Sequence, residues 1–209
     1  MADEGSPMER VKERRSAILG SRTERPAPIG VTIKAMIERQ ARNPSTVTYN
    51  LEMTVLEVLR GKDALDRLRI EGVNEGEHQS GLEYLMVFLR LKYYPKARGL
   101  PEYEPYVIDE NQFSVVSQKG DVKYGSPHLI KLPFPQLIGM SISINESVKG
   151  WLVFQAPLEE KEPLLTFDRD YTENRLTLRT ARGVLWFKLY NFDPMNIDDS
   201  CVECTRPGY

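Results

Sequence analysis

The chain has 209 residues, 41% of them hydrophobic and 28% charged. That suits one domain with a real core plus a tail, and excludes a disordered polymer. Its 28 basic and 30 acidic side chains leave a formal net charge of -2. Nucleic-acid binders usually show a basic excess or a clustered basic face to neutralise phosphates; there is no excess, and the richest basic stretch, Arg10 to Arg15, is broken by Glu13, so no nucleic-acid partner is expected.

No stretch approaches the about 18 apolar residues a membrane-spanning helix requires, so no transmembrane segment is expected. Residues 1–20 are charged throughout and lack the apolar core of a signal peptide. Two locations follow as expectations: the cell surface or exterior if a leader has been removed, and otherwise the cytoplasm. Cys201 and Cys204 are the two cysteines, too few for a disulfide scaffold, so the core must hold by burial.

In chain order, Ser6, Pro7 and Glu9 read as a helix start. Ser6 can cap, Pro7 suits the first helical position, and Glu9 closes a capping box. Met8, Val11, Arg15, Ile18 and Leu19 keep helical spacing, and Gly20 can end the helix in a left-handed conformation. Residues 21–30 hold Pro26 and Pro28 and read as extended linker, so residues 1–30 form a helical tail and linker.

The spacing then changes to period two. Val31, Ile33 and Ala35 alternate with Thr32 and Lys34; Tyr49, Leu51, Met53 and Val55 alternate with Asn50, Glu52 and Thr54, the pattern of a half-buried strand. Val55 and Leu56 are adjacent and apolar, a phase slip that a β-bulge produces. Ala64, Leu65 and Leu68 share one helical face, predicting a two-turn helix over 61–68. Residues 73–81 are a polar loop. Residues 84–91 are apolar on both faces, as in a central strand covered on each side.

Residues 94–105 contain three prolines and read as a long loop. Strands follow at 112–116, at Met140, Ile142 and Ile144, at 151–154, 164–167, 175–178 and 184–189, with a turn at 118–121. Strands at this spacing, with few helices and no βαβ unit, predict an all-β antiparallel sandwich over residues 31–192 and a C-terminal tail over 193–209.

Several segments together resemble the telokin-like, immunoglobulin-like extracellular domains of prokaryotes. They are residues 20–30, 51–60 with the following helix, 81–92 and 112–120. The closing part matches best: Ser147-Val148-Lys149-Gly150-Trp151-Leu152-Val153-Phe154-Gln155-Ala156-Pro157, then 164–168, then Trp186-Phe187-Lys188-Leu189. The resemblance covers roughly residues 20–190 and rests on order and spacing rather than on one diagnostic motif. It implies an immunoglobulin-like β-sandwich of seven to nine strands, export as a lipoprotein or secreted antigen, and no catalytic residues. The sequence departs from the family pattern in having neither a leader nor a lipid-attachment cysteine near its start.

Four constellations bear on chemistry. Cys201 and Cys204 form a CxxC, which can be a redox pair or half a zinc site. The other half would have to come from His78 and His128, fifty residues apart in different loops. The plainer reading is a local disulfide or two idle thiols, and no metal or cofactor is expected. Asp168, Asp170 and Glu173 could offer oxygens to calcium, but lack the glycine and ligand count of an EF-hand loop and read as a solvated turn.

Neither histidine lies in a nucleophile motif and no phosphate-binding loop occurs, so no enzyme is expected. Tyr93, Tyr94, Tyr103 and Tyr106 bracket the proline-rich loop. Tyr94, Tyr103 and Tyr106 are the candidate binding residues, since tyrosines on a stiffened loop suit recognition; Tyr93 and Tyr106 could instead pack at strand ends. Trp151 and Trp186 are expected in the core.

These features predict a non-catalytic interaction domain at the cell surface or secreted, binding a protein or glycan partner through loops. Self-association through an edge strand or the N-terminal helix is a further expectation. The alternative is an intracellular assembly subunit docking through that helix, and a metal protein or enzyme ranks behind both.

Overall fold

The computed structural model describes residues 19–40, 46–73, 80–95, 105–127, 129, 131–168 and 184–190. The expected N-terminal helix before Leu19, the strand at 175–178 and the C-terminal tail lie outside the described residues. In chain order the elements are β1 (Thr32–Gln40), β2 (Thr46–Arg60), α1 (Gly61–Ile70), β3 (Leu82–Pro95) and β4 (Tyr106–Val107). A 3-10 turn (Glu110–Gln112) leads to β5 (Phe113–Val116) and β6 (Lys123–Tyr124), and β7 (Ser141–Ile142), β8 (Ser147–Pro157), β9 (Leu164–Asp168) and β10 (Val184–Lys188) follow.

All pairs among the described strands are antiparallel. They form a four-stranded sheet I in the order β1-β2-β3-β8 and a four-stranded sheet II in the order β10-β9-β5-β6, beside a two-stranded β4-β7 pair. The protein is therefore all-β with one described α-helix.

Period-two burial fixes which side of sheet I faces sheet II. Ile33 and Ala35 of β1, Leu51, Met53 and Val55 of β2, and Leu85, Val87, Leu89 and Leu91 of β3 join Leu152 and Phe154 of β8 in one apolar cluster. Phe113, Val115, Leu165, Phe167, Leu185 and Phe187 of sheet II belong to the same cluster. A strand alternates its side chains, so the intervening residues of sheet I point away from this interior.

The bulge lies where the apolar pair Val55-Leu56 predicts it. The β2–β3 register runs Val55 to Leu89 and then Glu57 to Phe88, leaving Leu56 unopposed. The extra residue resets the facing of β2, which turns Leu59 outward against the helix.

α1 covers half of the outer face of sheet I. Ala64 and Leu68, spaced one turn apart, are fully buried against Tyr84, Met86, Trp151 and Val153. This is why the first half of β3 is apolar on both faces. Its inward residues meet sheet II and its outward residues Tyr84 and Met86 meet α1, while beyond Phe88 the outward positions become Arg90, Lys92 and Tyr94.

Two expectations change. Residues 21–30, expected as linker, are packed with Gly20 along β10. Trp186 N–H donates to Gly20 O (2.8 Å), Ala27 N–H to Trp186 O (2.8 Å) and Lys188 N–H to Ala27 O (2.8 Å). Ala27 is fully buried and makes a parallel bridge with Phe187.

Gly20 has φ +74, the left-handed conformation expected of it, and a Cβ there would lie 2.2 Å from Ile33 Cδ1. The strand expected through Met140, Ile142 and Ile144 is only the two residues of β7. Met140 is exposed and Ile142 buried, so that alternation did not mark a long strand. No helix among the described residues is long and apolar enough to cross a membrane.

Candidate functional site

The two described tyrosines among the candidate binding residues, Tyr94 and Tyr106, do not share a surface. Tyr94 and Tyr106 are described, and Tyr103 lies outside the described residues. Tyr106 is 1% exposed. Its hydroxyl donates to Gln112 Oε1 (2.8 Å) and its ring lies 5.4 Å from that of Tyr93. Gln112 in turn caps the 3-10 turn begun by Asp109, so Tyr106 fastens that turn to the interior and offers no ring to a ligand. Tyr94 points the other way, onto the outer face of sheet I, and donates to Glu52 Oε1 (3.1 Å).

Around Tyr94 the outer face is a charged lattice. Across the strands the register places Lys34, Glu52, Lys92 and Ser147 in one row, and Thr32, Thr54, Arg90 and Lys149 in the next. Lys34 Nζ lies 3.2 Å from Glu52 Oε1, Lys92 Nζ is 5.8 Å from the Tyr94 ring centroid, and Arg90 donates to Thr54 Oγ1 (3.1 Å).

These contacts act on protonation. The hydrogen bond to Glu52 raises Lys34 above its usual value, helped by the Tyr94 and Glu52 charges. For Glu52, partial burial pushes the carboxyl upward, but the hydrogen bonds from Lys34 and Tyr94 and the Lys34 and Lys92 charges outweigh it and hold the group low. Burial first, then the bond to Glu52, raises the Tyr94 hydroxyl.

The other expected sites do not form a described constellation. Cys201, Cys204, His78, His128, Asp170 and Glu173 lie outside the described residues. Asp168 ends β9 and is buried. Among the described residues no three His, Cys, Asp or Glu side chains are grouped to hold a metal ion. Trp151 and Trp186 are buried, as expected.

A different surface stands out beside α1. Phe134 is 78% exposed, Ile70 81% and Leu132 37%. Single exposed apolar residues are ordinary; here they sit on two adjoining segments tied together by one carboxylate. Glu71, just after α1, accepts the Phe134 N–H at Oε2 (2.6 Å) and, through its backbone oxygen, the Lys131 ammonium (2.8 Å). Its other carboxylate oxygen pairs with Arg67 (2.7 Å), whose guanidinium lies 5.9 Å from the Trp151 ring centroid.

The loop is fixed from its far side too. Trp151 N–H donates to Pro135 O (2.9 Å) and Gln136 bridges Trp151. Gly150 lets the loop come this close: a Cβ there would lie 2.7 Å from Leu137 N and 2.8 Å from Gln136 C. Pro133 and Pro135 flank Phe134 and restrict its backbone further.

The result is an aromatic ring held in solvent on a backbone that is already ordered. Such a group loses little conformational freedom when it enters a partner's pocket. The sequence signal for it was the run Leu132-Pro133-Phe134-Pro135, an apolar residue between two prolines outside any alternating pattern. Its exposure depends on Glu71 and Gly150, which are far away in sequence. No family model matches the chain, and no curated protein or solved structure matches it.

Proposed function

We propose that this chain is a non-catalytic interaction domain that binds a protein partner through the surface formed by Ile70, Leu132 and Phe134. The observation that carries the reading is the Phe134 ring, 78% exposed on a loop hydrogen-bonded to both α1 and β8. Interfaces concentrate their energy in aromatic anchors that fill pockets, with nearly neutral contacts around them. An exposed Phe on an ordered backbone, with Ile70 and Leu132 exposed on the two segments that Glu71 joins, has that composition, so the partner is a protein presenting an apolar pocket. The proline-rich 131–135 loop takes the role first expected of the tyrosine loop.

The same reading takes the domain as an immunoglobulin-like β-sandwich in architecture. Two four-stranded antiparallel sheets share one interior, and the segment at Ala27 makes a parallel bridge to the last described strand, β10, both in keeping with it. Strand order differs from an immunoglobulin domain, in which the second and third strands lie in different sheets; here β1, β2 and β3 share one. On the family resemblance, the domain acts at the cell surface or outside the cell, which fractionation of cells expressing the native gene would test.

The binding surface is tested by placing a photo-crosslinking benzoylphenylalanine at position 134 in cells. A discrete adduct with another protein is expected, and it should be lost when Ile70 is also changed to Ser. Adducts no different from those at the exposed control position Val122 would contradict the reading, and an adduct only with a second copy of the chain would replace the partner by self-association.

A further inference from the structure

We infer that the uncovered half of sheet I's outer face binds an acidic glycan, a hydroxyl-rich chain carrying sulfate or carboxylate groups. In the two rows, four cations, Lys34, Arg90, Lys92 and Lys149, stand against one carboxylate, Glu52, and Glu38 takes an outward register position farther along β1. The whole chain carries a formal charge of -2, so positive charge is concentrated here against the overall balance. Lys34 is 72% exposed at its side chain, Lys92 and Lys149 are exposed and Arg90 is half-buried. Among the described side chains, the exposed carboxylates at the border are Glu57, beyond the bulge, and Glu146, whose side chain accepts the Ser143 N–H (3.2 Å).

The sheet sets the spacing of these charges. Neighbouring strands lie about 4.8 Å apart and alternate residues of one strand about 6.8 Å apart. Arg90, Lys92 and Lys149 therefore form a rigid triangle, with Lys34 two strands farther on from Lys92. A chain with a charge on each sugar or two can meet several of these cations at once.

The uncharged groups select the class of polyanion. Thr32, Asn50, Ser147 and Tyr94 surround the cations with hydroxyl and amide groups that suit a polyhydroxylated ligand. Thr32 and Thr54 are bonded to each other at 2.8 Å, which keeps this polar floor in place. A protein partner would want an apolar centre to its interface, and the apolar part of this face is covered by α1. Single-stranded nucleic acid would want several aromatic platforms for its bases. Among the described residues of the two charged rows and their border, Tyr94 is the one aromatic beyond Phe88, and its hydroxyl is tied to Glu52.

The test measures binding of a fluorescent, size-defined heparin oligosaccharide to the full chain by anisotropy across a salt series. Wild type is expected to bind at low salt with an affinity that falls as salt rises. K92Q/K149Q should bind about tenfold more weakly with a shallower salt dependence. K92R/K149R, which keeps the charge, should bind as wild type does, and so should K62Q/K119Q, which removes two exposed lysines elsewhere. Circular dichroism and denaturation midpoints confirm that each variant is folded. The inference is overturned if wild type does not bind, if K62Q/K119Q loses as much affinity as K92Q/K149Q, or if a single-stranded oligonucleotide of equal charge binds as tightly. None of these outcomes depends on the Phe134 surface.

Discussion

Gly150 shows how a single residue can position a surface it does not belong to. It sits in β8, with extended backbone and no need of a left-handed conformation. What requires glycine is the backbone at Gln136 and Leu137, within 3 Å of where a Cβ would be. Backbone cannot rotate aside as a side chain can, so Gly150→Ala should lower stability by about 1–3 kcal/mol, read as a fall in the urea midpoint. The same variant should loosen the 131–135 loop, seen as faster amide exchange at Trp151, whose N–H is bonded to Pro135 O.

Glu52 offers a second test at this scale, through pH. Its carboxyl is held below its ordinary value of 4.5, so its ionised form is favoured by folding. That contribution is complete above about pH 4.5 and is lost as pH falls through the lower folded value. The pair with Lys34 is largely exposed on the lysine side, so the effect is small. Glu52→Gln should cost at most about 1 kcal/mol at neutral pH, and the gap from wild type should close in acid. A gap that persists unchanged to pH 2 would contradict the ion-pair origin.

At the level of elements, α1 is the clearest success of reading the residues alone. Ala64, Leu65 and Leu68 share a face, and Ala64 and Leu68 are buried. Leu68 fills the space between the helix and Tyr84, Met86, Trp151 and Val153. Leu68→Ala should therefore cost about 2–4 kcal/mol, measured by chemical denaturation. A loss under about 1 kcal/mol would mean that the helix does not rest on the sheet.

The bulge at Leu56 and the doubly covered first half of β3 were legible for the same reason: both follow from alternation along one strand, which neighbouring residues carry between them. Segment 19–30 was not legible as a strand-like partner. It pairs through backbone bonds to β10, and backbone bonds leave no pattern in side chains. β7 failed in the opposite way, because Met140, Ile142 and Ile144 alternate without a long ladder to pair with.

For the whole molecule, the two sheets and their shared interior were readable from burial periodicity, and the surfaces were not. Tyr106 looked like a recognition residue because it flanks a proline-rich loop, yet the fold turns it inward onto Tyr93 and Gln112. Phe134 lies in an apolar, proline-flanked run whose facing no alternation sets, and tertiary ties from Glu71 and Trp151 fix the loop that carries it. The cations of sheet I are scattered over three strands in sequence, β1, β3 and β8, and meet only through register. Side-chain alternation encodes layers, whereas surfaces are assembled from residues that no local pattern links.

The most direct test of the interaction reading is the equilibrium stability of Phe134→Ser. A ring that is 78% exposed contributes little to folding, so the urea midpoint should correspond to wild-type stability within about 0.5 kcal/mol. A loss above about 2 kcal/mol would make Phe134 part of what holds the domain together and would remove the observation on which the binding surface rests.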